Sequence, residues 1–422
     1  MIYWALLLHI YQPPFQSWEV LKKINDECYS KLFDIFLEFP FTKLTLNING
    51  SLTELLYQYQ FLATIEKIKE TAQKGQLRFT GSGKYHPLLP LIPSSEVIHQ
   101  IQINEDYNQQ IFGSIYANPK GFFPPELAIS NDVLDVIKNM NYKWTLVSGI
   151  AHPNEWPNNI YYTHNSLPIF FRDDVVSNEI SFKQYGPMKF LSKLQTLYDN
   201  DDYYIITAMD GETFGHHNKD YEQEFLGTVF KEIEDQEEIQ MIYLDDLLNI
   251  FKNGGEINPI ESTWSTTPED LTKNKHYPLW ADPDNEIQME QHRLRETAFQ
   301  LFQHLENHSL KVPKDHLEFY NNARINLDKG SQSCRLWWAS KYNFNEDLII
   351  RGNSFLVQSV VNAYKALYSV PLQREELLEI RYLFEDFRLI YNHLLELLSH
   401  ETEERSRFKP FTRRIEEFKK FE

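Results

Sequence analysis

The chain predicts an α/β fold: a parallel sheet closed toward a barrel and followed by a mainly α-helical region. Three observations carry that expectation. Short apolar runs alternate with helix-like stretches through the first 250 residues, most of the runs are apolar on both faces, and from Asn285 onward the periodicity is almost wholly helical. Strands covered on one face by helices and on the other by a barrel interior have no polar side, so they read as continuous apolar segments. Seven such runs, at 3–8, 44–48, 77–80, 121–123, 144–147, 203–208 and 240–243, favour a barrel over an open sheet.

The opening stretch MIYWALLL is apolar but has neither a basic leader nor a small-residue cleavage site, and it runs straight into HIYQPP, so a buried first strand is expected there. Helices are expected at 19–38 and 94–112, the second opening on Ser94-Ser95-Glu96 and carrying Val97, Ile98, Ile101 and Ile103. Pro124 and Pro125 stop the run at 121–123. Asn253-Gly254-Gly255 breaks the alternation, and the stretch 260–277, rich in Ser, Thr, Pro and Lys, reads as a connecting loop. The division expected is therefore 1–255 for the barrel and 256–422 for the loop and a helical domain that completes the cleft. Helical periodicity then covers 287–306, 316–327, 354–368 and 374–400, and the charged segment 401–422 reads as a solvated terminal helix.

At 422 residues the chain can bury a large core, and 42% hydrophobic with 24% charged residues is ordinary for a folded protein. A formal charge of −19 repels phosphate backbones and anionic lipid, which argues against nucleic-acid and membrane partners. Cys28 and Cys334 are too few for a disulfide framework or a thiolate zinc site, which fits a cytoplasmic location. No apolar run is long enough to span a bilayer.

Chemistry concentrates where apolar runs end. Residues 209–218 (MDGETFGHHN) put Asp210 at the carboxyl end of a strand, the mouth of an α/β sheet or barrel where ligand sites form. Residues 121–130 (GFFPPELAIS) put Glu126 at a second strand end. Two facing carboxylates suit glycosidic bond cleavage; a helix cap or a surface ion pair is the plain alternative for either acid alone. His9 stands at the end of the first strand near Gln12, as a ligand contact or a satisfied core histidine. His216 and His217 either contact ligand or pack as ordinary loop histidines against Phe214. Aromatic residues make up 14% of the chain, and Trp264, Trp280, Trp337 and Trp338 serve either as stacking platforms or as core. Arg172-Asp173-Asp174 reads as a helix cap or part of the mouth.

Several of these segments together resemble the motifs of glycoside hydrolase family 57, α-glucan-active enzymes with an incomplete seven-fold (β/α) barrel followed by helices. HIYQP at 9–13 is similar to the family's first motif, 75–87 to the second, 121–126 to the nucleophile motif, 209–217 to the acid/base motif and 280–286 (WADPDNE) to the fifth. The helical stretches 322–324 and 333–338 also resemble a family segment. The resemblance implies Glu126 as nucleophile and Asp210 as general acid/base, with His9, Gln12 and Glu212 as supporting sugar contacts; His216, His217 and Trp280 are further candidates for substrate binding, and no cofactor or metal is expected. It implies an α-glucan or maltooligosaccharide substrate handled by a retaining hydrolase or transglycosylase. Such a cycle needs carboxyl groups about 5 to 5.5 Å apart, with Glu126 ionised and Asp210 protonated.

The sequence departs from the pattern at Tyr11 (usually His), Arg78 and His86 (often Glu) and Phe123 (often Trp), which bears on substrate choice. Two other readings stand beside the first. One is a metal-dependent carbohydrate hydrolase or deacetylase on a related barrel, using His9, Asp210, His216 and His217 as ligands. The other is a catalytically silent glucan-binding protein.

Overall fold

The computed structural model of the chain describes residues 1–154, 158–183, 186–197 and 201–418. They form two compact units, Met1–Tyr277 and Pro278–Glu422. The segment 256–277 therefore packs with the first unit, where Ser262 bridges Ile129 and the Trp264 backbone N–H donates to Glu126 O at 3.1 Å.

The strands of the first unit are β1 (Ile2–Ile10), β2 (Leu44–Ile48), β3 (Leu77–Gly81), β4 (Gly121–Phe122), β5 (Trp144–Val147), β6 (Ile160–His164), β7 (Leu167–Phe171), β8 (Tyr203–Asp210), β9 (Ile239–Met241) and β10 (Lys252–Glu256). They form one curled sheet in the order β10-β6-β7-β5-β4-β3-β2-β1-β8, and β9 pairs with the start of β1. All pairings are parallel except β6 with β7. This is the incomplete β/α barrel expected, followed by a helical region.

All seven expected runs are strands, and three more elements complete the sheet. The hairpin β6–β7 turns on Asn165 and Ser166, both at positive φ (49° and 69°), the primed geometry that matches strand twist. β10 contains the Asn253-Gly254-Gly255 break itself. It is exposed throughout and its register with β6 shifts between Asn253 and Glu256, so it carries no apolar signal to read.

Alternation along the strands assigns their two faces. Ile2, Trp4, Leu6, Leu8 and Ile10 of β1, and Tyr203, Ile205 and Met209 of β8, pack with the surrounding helices in the outer core. Ala5 and Leu7, with Tyr204, Ile206 and Ala208, pack instead with Phe123, Trp144, Leu146 and Phe170 in the inner core. Continuing the inward parity by two residues reaches His9 on β1 and Asp210 on β8. Gly121 is required for this closure, because a Cβ there would stand 1.9 Å from the Trp144 ring.

In the second unit, helices Glu286–Asn307, Leu317–Gly330, Glu346–Tyr368 and Arg374–Phe418 bury a shared stripe that includes Leu294, Leu301, Leu327, Leu356, Val360, Ile390 and Leu394. Asn285 and Asn345 cap two of these helices through their side-chain oxygens. Of the charged segment 401–422, residues 419–422 lie outside the described residues.

Candidate active site

Register alone lines up a polar row at the carboxyl ends of four strands. His9 pairs with Asp210 on one side and with Asn47 on the other, and one residue beyond the Leu46–Phe79 pair stands Thr80. Asn47 Nδ2 donates to Thr80 Oγ1 at 3.0 Å, so Asn47 Oδ1 is the acceptor facing His9 Nδ1 at 2.6 Å. His9 thus carries its proton on Nδ1 and offers Nε2 as a lone pair, to which His86 Nε2–H donates across 3.1 Å. Burial lowers both imidazoles, His9 to about 4, so the pair is neutral.

Glu126 arrives by a different route. It lies in a single turn after the two prolines, with φ 61° and ψ 16°, and Leu127 follows at φ 49°. A left-handed backbone costs a non-glycine residue roughly 1–2 kcal/mol, so neighbouring contacts must hold it. Trp264 supplies two of them: its backbone N–H to Glu126 O, and its indole Nε1–H to Glu126 Oε2 at 2.8 Å. His86, itself at φ 55°, places Nδ1 3.8 Å from Glu126 Oε1.

Rings enclose this corner. His9 stacks on Phe123 (5.0 Å between centroids) and on His86 (4.9 Å), Tyr11 stacks on His86 (4.2 Å) and lies 6.3 Å from His9, and Trp264 meets Phe123 edge-on. Three of the positions that depart from the family pattern, Tyr11, His86 and Phe123, are therefore one stack around His9. Arg78 is elsewhere: it pairs with Asp245 and Asp246 and lies over the Tyr243 ring at 4.0 Å, 43% exposed.

Beyond Asp210, Glu212 is buried, accepting from Tyr29 OH and from Gln12 Nε2 (3.2 Å). The structure thus gathers His9, Gln12, Glu126, Asp210 and Glu212 into one site. It turns His216 toward Glu27, 2.6 Å away, and ties the His217 backbone to Glu212 O. Trp280 is buried in the second unit, where His292 Nε2 donates to its carbonyl at 2.9 Å. Asp173 caps the helix Asp174–Ser181, while Arg172, 3% exposed, donates Nε to Ala208 O at 2.7 Å beneath Asp210.

Sequence reasoning passed over Asn47 and Tyr29. Asn47 had a signal, a polar residue at inward parity near the end of an apolar strand; Tyr29 had none. Trp264 stood out only as a loop aromatic, and its bond to Glu126 leaves no mark in the sequence.

The acids interact electrically. Burial, and then the charge of Asp210, push Glu126 up to about 8, with the Trp264 indole pulling the other way. Burial also raises Asp210 and Glu212; Arg172 partly offsets it at Asp210, and the charge of Asp210 adds to it at Glu212. In the unliganded site both carboxyls are thus raised, Glu126 by burial and then by the charge of Asp210, and Asp210 by burial against the opposing pull of the Arg172 guanidinium.

A curled parallel sheet with part-buried acids at its carboxyl edge is a site architecture that β/α-barrel enzymes acting on glycosidic bonds use. The family model for glycosyl hydrolase family 57 matches residues 8–259, and the chain belongs to that family. It is 22% identical over 264 residues to an alpha-amylase of Pyrococcus horikoshii, covering 59% of this chain and 40% of that protein. It is likewise 22% identical over 264 residues to a 4-alpha-glucanotransferase of Thermococcus litoralis, covering 59% and 38%. The chain therefore spans less than half the length of these curated relatives. The crystal structure of the alpha-amylase AmyC from Thermotoga maritima superposes with a TM-score of 0.67 at 14% identity, over 92% of this chain and 98% of that one, a likeness of fold.

Proposed function

We propose that this chain is a retaining glycoside hydrolase or transglycosylase of α-glucans, with Glu126 as nucleophile and Asp210 as general acid/base. The observation that carries the reading is geometric: Asp210 pairs in register with His9, His9 meets His86 at 3.1 Å, and His86 stands 3.8 Å from Glu126, so two acids remote in sequence border one histidine pair. A pair of raised carboxyls that holds one proton near neutrality is what double displacement uses. Positive charge developing at the anomeric carbon lowers the proton affinity of the facing Glu126, and the shared proton goes to the leaving oxygen by way of Asp210. Asp210 then deprotonates water or a sugar hydroxyl, which attacks the glycosyl ester on Glu126. Gln12 and Glu212 adjoin the pair and take ring hydroxyls, and His9 takes one by exchanging its His86 partner for the sugar; His217 is assigned to a more distant contact.

The names of the relatives, alpha-amylase and 4-alpha-glucanotransferase, support an α-glucan substrate. The cytoplasm is the location we assign, since Cys28 and Cys334 form no disulfide. None of the described helices is long and apolar enough to cross a membrane.

Incubation with maltoheptaose tests the reading. Products of altered size are expected, released first as the α-anomer by proton NMR, and absent with Glu126→Gln. An unchanged maltoheptaose pool, or β-anomer released first, would overturn it.

A further inference from the structure

The second unit holds a buried cation that has no counter-charge among the described residues bonded to it. Arg335 is 0% exposed, and each partner of its guanidinium is a neutral oxygen: Gly330 O (3.0 Å), Gln291 O and Oε1 (3.3 Å each) and Asn353 Oδ1 (3.2 Å). Its Nη2 has no partner among the described residues. Around it stand more unused donors: Gln291 Nε2 has no acceptor, and Gln332 has neither amide atom bonded, although both side chains are 0% exposed. Gln332 Nε2 and the Arg335 Cβ both crowd Gly352, where a Cβ would lie 3.3 Å and 2.6 Å from them, so these groups share one wall.

A second guanidinium lies close enough to act on the first. Arg295 is 5% exposed and one turn from Gln291 on the helix Glu286–Asn307, and its charge repels Arg335. Burial, and then the charges of both, press the His292 imidazole down to about 3, so it adds no charge of its own. Guanidinium does not deprotonate in proteins, and an isolated buried charge costs several kcal/mol that dipoles alone do not recover. Water would satisfy the idle N–H groups but would leave the charge.

We propose that Arg335, with Gln291 and Gln332, holds a small monovalent inorganic anion of the halide class inside the helical unit. Size follows from burial: the three side chains are fully enclosed, so the ligand is an ion taken up as the chain folds rather than a metabolite entering by a mouth. The proposal is independent of the glycosidase reading.

Refolding the full chain from urea in buffers whose only halide is bromide, then crystallising it from the same buffer, provides the test. An anomalous bromide peak within hydrogen-bond distance of Arg335 Nη2 is expected. The midpoint of thermal unfolding should be several degrees higher after refolding in chloride or bromide than in gluconate at equal ionic strength. Gln332→Leu, which keeps the charge and removes one donor, should shrink that difference, and Arg335→Met should abolish it. Density at Nη2 without anomalous signal, together with identical midpoints in all three salts, means water only and overturns the proposal.

Discussion

Asp210 stands on the last residue of an eight-residue strand, whereas Glu126 stands on a left-handed turn just beyond a two-residue strand. The first acid is placed by a hydrogen-bonded ladder that also fixes His9, Asn47 and Thr80, so its position follows from local register. The second is placed by contacts from residue 264, far along the chain, against the preference of its own backbone. Strand-borne groups come with their geometry; loop-borne groups need a remote partner to hold them, and that partner is part of the site.

The largest effect that separates the two is on chemistry and stability together. Glu126→Gln and Asp210→Asn are each expected to lower kcat by about a thousand-fold or more, near 4 kcal/mol of barrier. Their stabilities should diverge with pH. Glu126 is raised from the ordinary 4.5 to about 8, so the stability of the folded state is complete below pH 4.5 and is lost as pH climbs through 8. Gln, which has nothing to ionise, removes that loss. The melting-temperature gain of Glu126→Gln over the parent should therefore be small at pH 5 and widest near pH 8.5, by scanning fluorimetry; a gain that is flat with pH would remove the burial argument.

Next comes the clamp. Trp264→Phe keeps the ring but deletes the N–H that lowers the Glu126 proton affinity, so Glu126 should bind its proton more tightly still. Loss of about 10- to 100-fold in kcat/KM is expected, with the alkaline limb of the pH profile displaced upward. A drop in activity without any displacement would mean that Trp264 only packs. The ladder predicts a different signature: Asn47→Ala leaves His9 Nδ1–H and Thr80 without their buried partner and should cost about 1–3 kcal/mol in urea unfolding.

That contrast also explains how much was legible beforehand. The runs ending at Ala208 and Phe123 identified both acids, because polar residues that interrupt apolar strands are conspicuous whatever the topology. β6 and β10 were obscure for physical reasons, the first turning on Asn-Ser without glycine and the second exposed along its whole length. The neutral histidine pair, the Tyr11–His86 stack and the indole bond to Glu126 arise from chain crossings at sequence separations of 75 to 138 residues, which no local pattern encodes. The pull of Arg172 on Asp210 was not legible, because the guanidinium comes beneath Asp210 only once the residues that follow β7 bond to the backbone of β8.

The smallest expected effect concerns Arg78, which shares the inward parity of β3 with Thr80 yet stands one layer further from the acids. If inward parity alone defined the site, Arg78 would belong to it and its replacement would be costly. Layer as well as parity is what the strand ladder imposes: Arg78 is opposite Thr45, and Thr80 is opposite Asn47. Its ion pairs to Asp245 and Asp246 are partly exposed, and such pairs contribute about 1 kcal/mol or less. Arg78→Ala should leave kcat/KM on maltoheptaose within about two-fold of the parent and shift the urea midpoint only slightly. A ten-fold change in kcat/KM at an unchanged midpoint would place Arg78 in the site and show that the ladder is not what separates acid-bearing positions from their neighbours.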